Sequence, residues 1–135
     1  MARSDQPSRW AVGGAGTVMV VTAGLHALGY RPVTAQLATS GMQAPWQAGI
    51  KGLWLIFSLH LVIVGALLLV ACVRPGSVSK TVLVIAGLMP VGDTVMLYSF
   101  VGLFIGTVAL AIAAVLVYVG VALRHGEARA SEHGT

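Results

Sequence analysis

Four long apolar runs dominate this sequence and limit what it can fold into. An α-helix needs roughly 20 apolar residues to cross a bilayer core about 30 Å thick, and each run is close to that length. Only 9% of the 135 residues are charged, whereas about a quarter are charged in a soluble domain. These charges are too few to cover a water-facing surface. We therefore expect an all-α integral membrane protein whose solvent is lipid.

The apolar runs predict a bundle of four membrane-spanning helices. We place the spans at residues 10–29, 50–73, 78–98 and 100–123. The last two runs are nearly continuous, and Pro90 and Gly92 are the strongest helix breakers between them. A turn at those two residues would leave a third helix too short to span. We therefore predict a Pro-kinked third helix followed by a tight turn at residues 98–102.

Polar segments flank the predicted membrane domain of residues 10–123. Residues 1–9 form an N-terminal tail, and residues 124–135 form a small, mixed-charge tail that we expect to be disordered. The first apolar run is longer than the roughly 7–15 residues of a signal-peptide core and ends without a small-residue cleavage site. We therefore expect this run to be retained as the first span.

The basic residues lie at the ends of the apolar runs, which is typical of a topology signal. The net charge of +4 could suggest nucleic-acid binding, but no basic stripe that could follow phosphates is present. Six of the eight Lys and Arg residues fall on one side of the predicted membrane, and only Arg31 and Lys51 on the other. The positive-inside rule then predicts that both termini are cytoplasmic, in a bacterial-type inner membrane.

Three titratable residues, His26, His60 and Asp93, lie within the predicted spans. At 1.5 Å per residue they are roughly 5, 15 and 8 Å below the outer surface, so all three fall in the outward-facing half. An ionisable group at membrane depth costs roughly 2.5–3.5 kcal/mol and normally faces the bundle interior with a partner. We expect Asp93 to meet one of the histidines directly or through one water, and we treat the three as candidate catalytic residues.

The second span supplies the predicted walls of this polar pocket. Lys51, Trp54 and Ser58 share one helix face, and Phe57 shares another with His60. We predict that Lys51, Trp54, Phe57 and Ser58 contact a substrate. Ser58 and His60 are about 200° apart around the helix, so we expect them to face different partners.

Small residues and metal ligands complete the inventory. Gly13 to Gly16 and the pair Gly102 and Gly106 would allow close helix approach, either within the chain or in a homo-oligomer. The single Cys72 forms no CxxC pair, and no metal site is expected. The cofactor is open: one neutral histidine in a span can ligate haem iron, and His60 or His26 has a suitable position.

Several functions fit this pattern. The residues suit an accessory or lipophilic-ligand-binding membrane subunit, in which the polar groups specify packing or hold the ligand. They also suit a membrane enzyme with isomerase or hydrolase acid–base chemistry on a lipophilic small molecule. A proton-linked small transporter is the third reading, although the inner half lacks polar residues to complete a path. The expected partners are the lipid bilayer, a lipophilic small molecule, and a second copy or a larger membrane complex.

The stretch GLMPVGDTVML, residues 87–97, resembles the Gly-x-x-Pro-x-x-Asp third helix of DoxX-like small bacterial membrane proteins. Their layout of four spans with cytoplasmic termini is similar to the one expected here. The resemblance covers one helix and the layout, and reaches only Pro90 and Asp93. It implies the fold and, through some members, a subunit role in quinone-linked oxidoreductases. The first span lacks the Arg-rich entry of those proteins.

Overall fold

The computed structural model describes the backbone of residues 6–132 and the side chains of residues 6–124. This part of the chain is helical and contains no strand. The helices are α1 (Gln6–Leu28), α2 (Tyr30–Thr39), α3 (Ala44–Val73), α4 (Lys80–Val101) and α5 (Ile105–Glu132). Four helical segments are long and apolar enough to cross a membrane: α1 together with α2, then α3, α4 and α5. The predictions of an all-α chain and of four helices long and apolar enough to span a membrane are confirmed for the described residues.

The helices extend further than the apolar runs alone indicate. Helix α1 begins at Gln6, and Ser8 is fully buried, so residues 6–9 belong to the bundle and not to a tail. At the other terminus α5 continues to Glu132. We expected a disordered tail from residue 124; the backbone is helical as far as Glu132. Residues 1–5 and 133–135 lie outside the described residues.

The predicted long loop between the first two spans is mostly helical. Only Gly29 separates α2 from α1, and α3 begins at Ala44 with Pro45 in its first turn, where proline is readily accommodated. The combined helix of 34 residues is about 51 Å long, so it exceeds the hydrocarbon thickness. Leu37 of α2 is buried against α3, and the two form a helical extension at one end of the bundle.

Helix α4 is continuous through Pro90 and ends in the predicted turn region. Ser79 caps its start by accepting a hydrogen bond from the Val82 backbone N–H. Gly102 has a φ of 88°, a left-handed conformation that glycine adopts without steric cost, and it terminates the helix. The fourth spanning helix then starts at Ile105 instead of residue 100.

Helix α1 is at the centre of the packing. It contacts α3 along one side and α5 along the other, while α4 packs on α5. Helices α3 and α4, which follow each other in the chain, meet at only a few points. The order around the bundle is therefore α3, α1, α5, α4, with an open α3–α4 interface. Much of the outer surface consists of exposed Leu, Ile, Val and Phe side chains, as suits a surface solvated by lipid.

Glycine residues allow the three closed interfaces to be tight. A Cβ on Gly16 of α1 would lie 2.8 Å from the carbonyl oxygen of Gly65 in α3. A Cβ on Gly120 would lie 2.5 Å from Val12 across the α1–α5 interface, and one on Gly87 would lie 2.9 Å from Val117 across the α4–α5 interface. Small residues at such contacts let helix backbones approach closely.

Two arginines join three helices at one end of the bundle, which we name the basic end. Arg9 donates a hydrogen bond from Nε to the Cys72 carbonyl at 3.0 Å. Arg124 donates to Ser8 Oγ at 3.3 Å and to the Ala71 carbonyl at 3.4 Å. Cationic side chains at the last carbonyls of a helix satisfy them and complement the helix dipole. The opposite end, with α2 and the α4–α5 turn, is the far end.

Candidate intramembrane ligand site

The open α3–α4 interface is bridged by a histidine–aspartate pair. His60 Nε2 of α3 lies 2.8 Å from Asp93 Oδ2 of α4. Their side chains are 22% and 15% exposed, respectively, so the pair is mostly but not fully withdrawn from the surface. The expectation that Asp93 meets one of the two histidines is confirmed. The short distance requires one proton between the two atoms, held by the imidazole or by the carboxyl group.

Local structure in α4 explains how Asp93 reaches this interface. Pro90 is fully buried one turn before Asp93, which places Asp93 near the same face of the helix. Thr94 turns its hydroxyl back along the helix and donates to the Pro90 carbonyl at 2.6 Å. The Thr94 hydroxyl is thereby bonded within its own helix, and Asp93 supplies the polar contact to α3.

His26 is held by Trp54 and Ser58, near the middle of α3, and does not contact Asp93. Its Nδ1 lies 2.9 Å from Ser58 Oγ, and its ring stacks on the Trp54 indole with centroids 4.1 Å apart and planes inclined by 17°. The Trp54 Nε1–H donates to the His26 carbonyl at 2.8 Å. Gly29 makes this approach feasible, because a Cβ there would lie 2.8 Å from the indole.

Phe57 stands between the two polar groups. Its ring centroid is 4.9 Å from that of His26 and 5.1 Å from that of His60, to which it is perpendicular. Aromatic rings at these separations attract one another beyond their buried area. The three predicted titratable residues therefore form a pair and a separate histidine, connected through one aromatic ring.

Two cavities flank Phe57. The His26 cavity has a volume of about 430 Å³, and its walls come from α1, α3, α4 and α5. Those walls are mainly apolar, with Leu25, Leu97, Phe104 and Leu110 among them, and include His26, Trp54 and Thr22. Both the size and the lining, largely apolar with a few polar groups, are typical of small-molecule sites.

The second cavity, named the Asp93 cavity, has a volume of about 400 Å³. It lies along α4, where Gly92 and Asp93 form part of its wall together with Leu88, Met89, Met96 and Phe100. Phe57 and Leu97 line both cavities, so these two side chains form the partition. Asp93 is the only acidic group among the side chains of residues 6–124.

Most of the predicted site residues are brought together. His26, Trp54 and Phe57 line the His26 cavity, and Ser58 holds the His26 ring. Ser58 and His60 face different partners, as predicted. Lys51 is half-buried on α3 one turn before Trp54 but lines neither cavity.

Sequence reasoning missed the contributions of Thr22, Leu97 and Phe104 to the cavity walls. Leu97 and Phe104 are ordinary apolar residues in a chain full of them, and only the helix packing shows that they line a cavity. Thr22 offered a weak signal, because it lies one turn before His26 on the same face of α1.

The donor set for a bound metal is limited. Among the described residues, no group of three or more His, Cys, Asp or Glu side chains is close enough to hold a metal ion. A single axial histidine is a different case. His60 uses Nε2 on Asp93, whereas His26 bonds through Nδ1 and keeps Nε2 for a ligand. Each histidine therefore keeps one ring nitrogen, Nε2 of His26 and Nδ1 of His60, that forms no hydrogen bond within the described part of the chain.

A scan of family models, a search of curated proteins and a search of solved structures each found no match to this chain. The resemblance to DoxX-like proteins therefore stays a prediction. The functional argument depends on the geometry of the His26 and Asp93 cavities alone.

Proposed function

We propose that this protein binds a lipophilic small molecule within the membrane, in the cavities on either side of Phe57. One observation carries the proposal: the His60–Asp93 hydrogen bond crosses the only open helix interface of the described bundle, beside an apolar cavity of about 400 Å³. If the pair served only to join two helices, a closed interface would be the better place for it. Both groups would be shielded there and their hydrogen bonds fully satisfied, which buried polar groups require. Here Asp93, one member of the pair, borders a space that an apolar ligand fits.

The charge distribution supports an orientation. Arg9, Arg74, Lys80 and Arg124 lie at the basic end, while Arg31 and Lys51 lie towards the far end. We place the basic end in the cytoplasm of a bacterial-type cell, by the positive-inside rule. Both termini are then cytoplasmic, the protein is in the inner membrane, and the cavities open in the outer half of the bilayer.

A second candidate function is acid–base catalysis on the bound molecule. The His60–Asp93 pair holds a proton between two groups that can each release or accept it. Asp93 reaches the cavity, so an isomerisation within an apolar substrate is suitable chemistry. This candidate adds a reaction to the same binding site, and a role as the ligand-binding subunit of a larger membrane complex is compatible with both.

Photolabelling tests the binding function. The purified protein in lipid nanodiscs is labelled with a small neutral lipophile, 3-trifluoromethyl-3-phenyldiazirine, with and without excess octylbenzene. We expect octylbenzene to suppress labelling of Phe57 and Leu97, which line the Asp93 cavity and are only partly exposed. Labelling of exposed positions such as Leu59 and Ile63 should be unchanged, because bulk lipid contact does not saturate.

Two glycine variants provide the matched comparison. Gly92→Leu places a side chain in the Asp93 cavity, and Gly24→Leu places one in open space on α1. Gly92→Leu should abolish the suppressible labelling, and Gly24→Leu should leave it intact. Labelling that octylbenzene does not suppress, or that Gly92→Leu leaves intact in a monodisperse protein, would contradict the proposal.

A further inference from the structure

Counting protons around His26 assigns its tautomer. The Ser58 hydroxyl has one proton and a carbonyl oxygen can only accept, so both contacts of Ser58 Oγ are hydrogen bonds only when it donates to the Trp54 carbonyl at 3.2 Å, a common arrangement for serine in a helix. Ser58 Oγ must then accept from His26 Nδ1, 2.9 Å away. A neutral imidazole carries one N–H. With that proton on Nδ1, His26 Nε2 has an unshared lone pair and acts as a hydrogen-bond acceptor.

The Nε2 atom of His26 is accessible. It has no hydrogen-bond partner among the described side chains and backbone, yet no buried side-chain nitrogen or oxygen in the described part of the chain lacks a partner. Nε2 therefore is not sealed in the protein interior. His26 lines the His26 cavity, so this space is where a ligand meets the lone pair.

The other polar side chains that line the cavity donate their protons to backbone carbonyls of the protein. The Trp54 N–H is donated to the His26 carbonyl, and the Thr22 hydroxyl donates to the Val18 carbonyl at 2.8 Å. Thr22 Oγ1 retains a lone pair, so the side chains that line the cavity offer acceptors and no unused donor. A ligand that brings only acceptors, such as a ketone or an ether, would find no side-chain donor there, which weakens its binding in an apolar site.

We propose that the His26 cavity binds a lipophilic phenol or alcohol, whose hydroxyl donates a hydrogen bond to His26 Nε2. This inference rests on the proposed function and names the chemical class of its ligand. A ring suits the aromatic walls, because Trp54, Phe57 and Phe104 line the same cavity. Ser58 is a positioning residue: it touches no ligand and holds the proton on Nδ1.

A pair of ligands that differ only in the donor tests the proposal. 4-Octylphenol and its methyl ether, 4-octylanisole, have similar apolar bodies, but the ether cannot donate. Trp10→Phe and Trp46→Phe leave Trp54 as the sole tryptophan, stacked on His26, so its fluorescence reports binding in nanodiscs. We expect the phenol to bind about tenfold more tightly, which corresponds to one hydrogen bond in an apolar site.

Variants of two residues separate the donor effect from binding itself. In His26→Phe the phenol and the ether should bind equally, because the acceptor is gone. In Ser58→Ala the preference should fall, because Nδ1 and Nε2 can then exchange the proton. The ¹⁵N spectrum of the selectively labelled wild-type protein should show a non-protonated His26 Nε2, and this measurement does not depend on any variant's folding.

The outcomes distinguish the two proposals. Equal affinity of both ligands for the wild-type protein would overturn the assignment of a hydroxyl donor while leaving lipophilic binding intact. Absence of saturable binding by either ligand would refute the binding function at this cavity. A protonated Nε2, or a Soret band that His26→Phe removes, would also overturn the inference, because the lone pair would then be absent or bound to iron.

Discussion

The α1–α3 and α3–α4 interfaces share one helix and are built in opposite ways. Between α1 and α3, glycines at positions 16 and 65 bring the two backbones into contact. Between α3 and α4, the corresponding glycine is Gly92, and a Cβ there would meet nothing within 4 Å. The α1–α3 interface is tight because its glycines have no side chains to hold the helices apart. The α3–α4 interface is bridged by one hydrogen bond between side chains.

This difference separates the structural part of the bundle from the part available to a ligand. Without a hydrophobic driving force between helices in lipid, close backbone packing is a principal source of association. The closed interfaces use close backbone packing, and charged side chains cross them only at the basic end. The α3–α4 interface lacks this close backbone packing and leaves space beside the His60–Asp93 pair. Ionisable residues are costly in a membrane and usually have a functional role.

The largest effect should come from closing space at the α1–α3 interface. Gly16→Ala puts a Cβ 2.8 Å from the Gly65 carbonyl oxygen, and backbone atoms cannot move aside as a flexible side chain can. We expect a loss of about 2–3 kcal/mol in the free energy of unfolding, measured by SDS titration in mixed micelles. Gly24→Ala on the same helix has open space around the new methyl group and should cost nothing. Equal effects of both variants would show that the close approach is not what stabilises this interface.

An intermediate effect should come from the α3–α4 hydrogen bond. A double-mutant cycle of His60→Ala and Asp93→Ala should give a coupling energy of about 1 kcal/mol, within the range found for hydrogen bonds between membrane helices. The same cycle with Thr94→Val in place of Asp93→Ala should give none, because Thr94 bonds within α4. A coupling near zero for His60 and Asp93 would mean that the pair does not join the helices.

The smallest effect should come from the basic end. Arg9→Gln removes a charged group from the C-terminal carbonyl of Cys72, and we expect a loss of about 0.5 kcal/mol in the free energy of unfolding, as is usual for such a contact. Arg74→Gln, at an exposed position just beyond α3, should have no measurable effect. If Arg9→Gln destabilises the protein more than Gly16→Ala, then the basic end, and not the glycine packing, holds α1 and α3 together.

The spanning helices could be predicted because lipid imposes a length and a composition that the apolar runs show directly. Their ends were less accurate, since a helix that leaves the bilayer continues in polar sequence, as α1 with α2 and α5 both do. The glycine pattern was only partly informative. Gly13 and Gly16 do lie against α3, whereas Gly102 ends α4 and Gly106 packs against Phe104 of its own chain segment.

The site could be predicted in part for a related reason. Histidine and aspartate are so costly to bury in a membrane that their positions alone indicated the pocket and a contact between Asp93 and one of the histidines. Which histidine met Asp93 depended on helix order, because α1 is separated from α4 by α5 and His26 is directed to Ser58 instead. The partition by Phe57 and Leu97 depended on packing that no local pattern encodes.

The two connections of α4 determine how a molecule would gain entry. At the basic end, residues 74–79 link α4 to α3, while at the far end the three residues 102–104 link it to α5. A chain connection therefore joins α3 to α4 only at the basic end, and the Asp93 cavity beside their interface lies on the side of the bundle, where acyl chains would surround it. For the proposed ligand, the relevant concentration is the amount dissolved in the bilayer. An affinity expressed against the aqueous concentration would contain the ligand's partition coefficient as a factor.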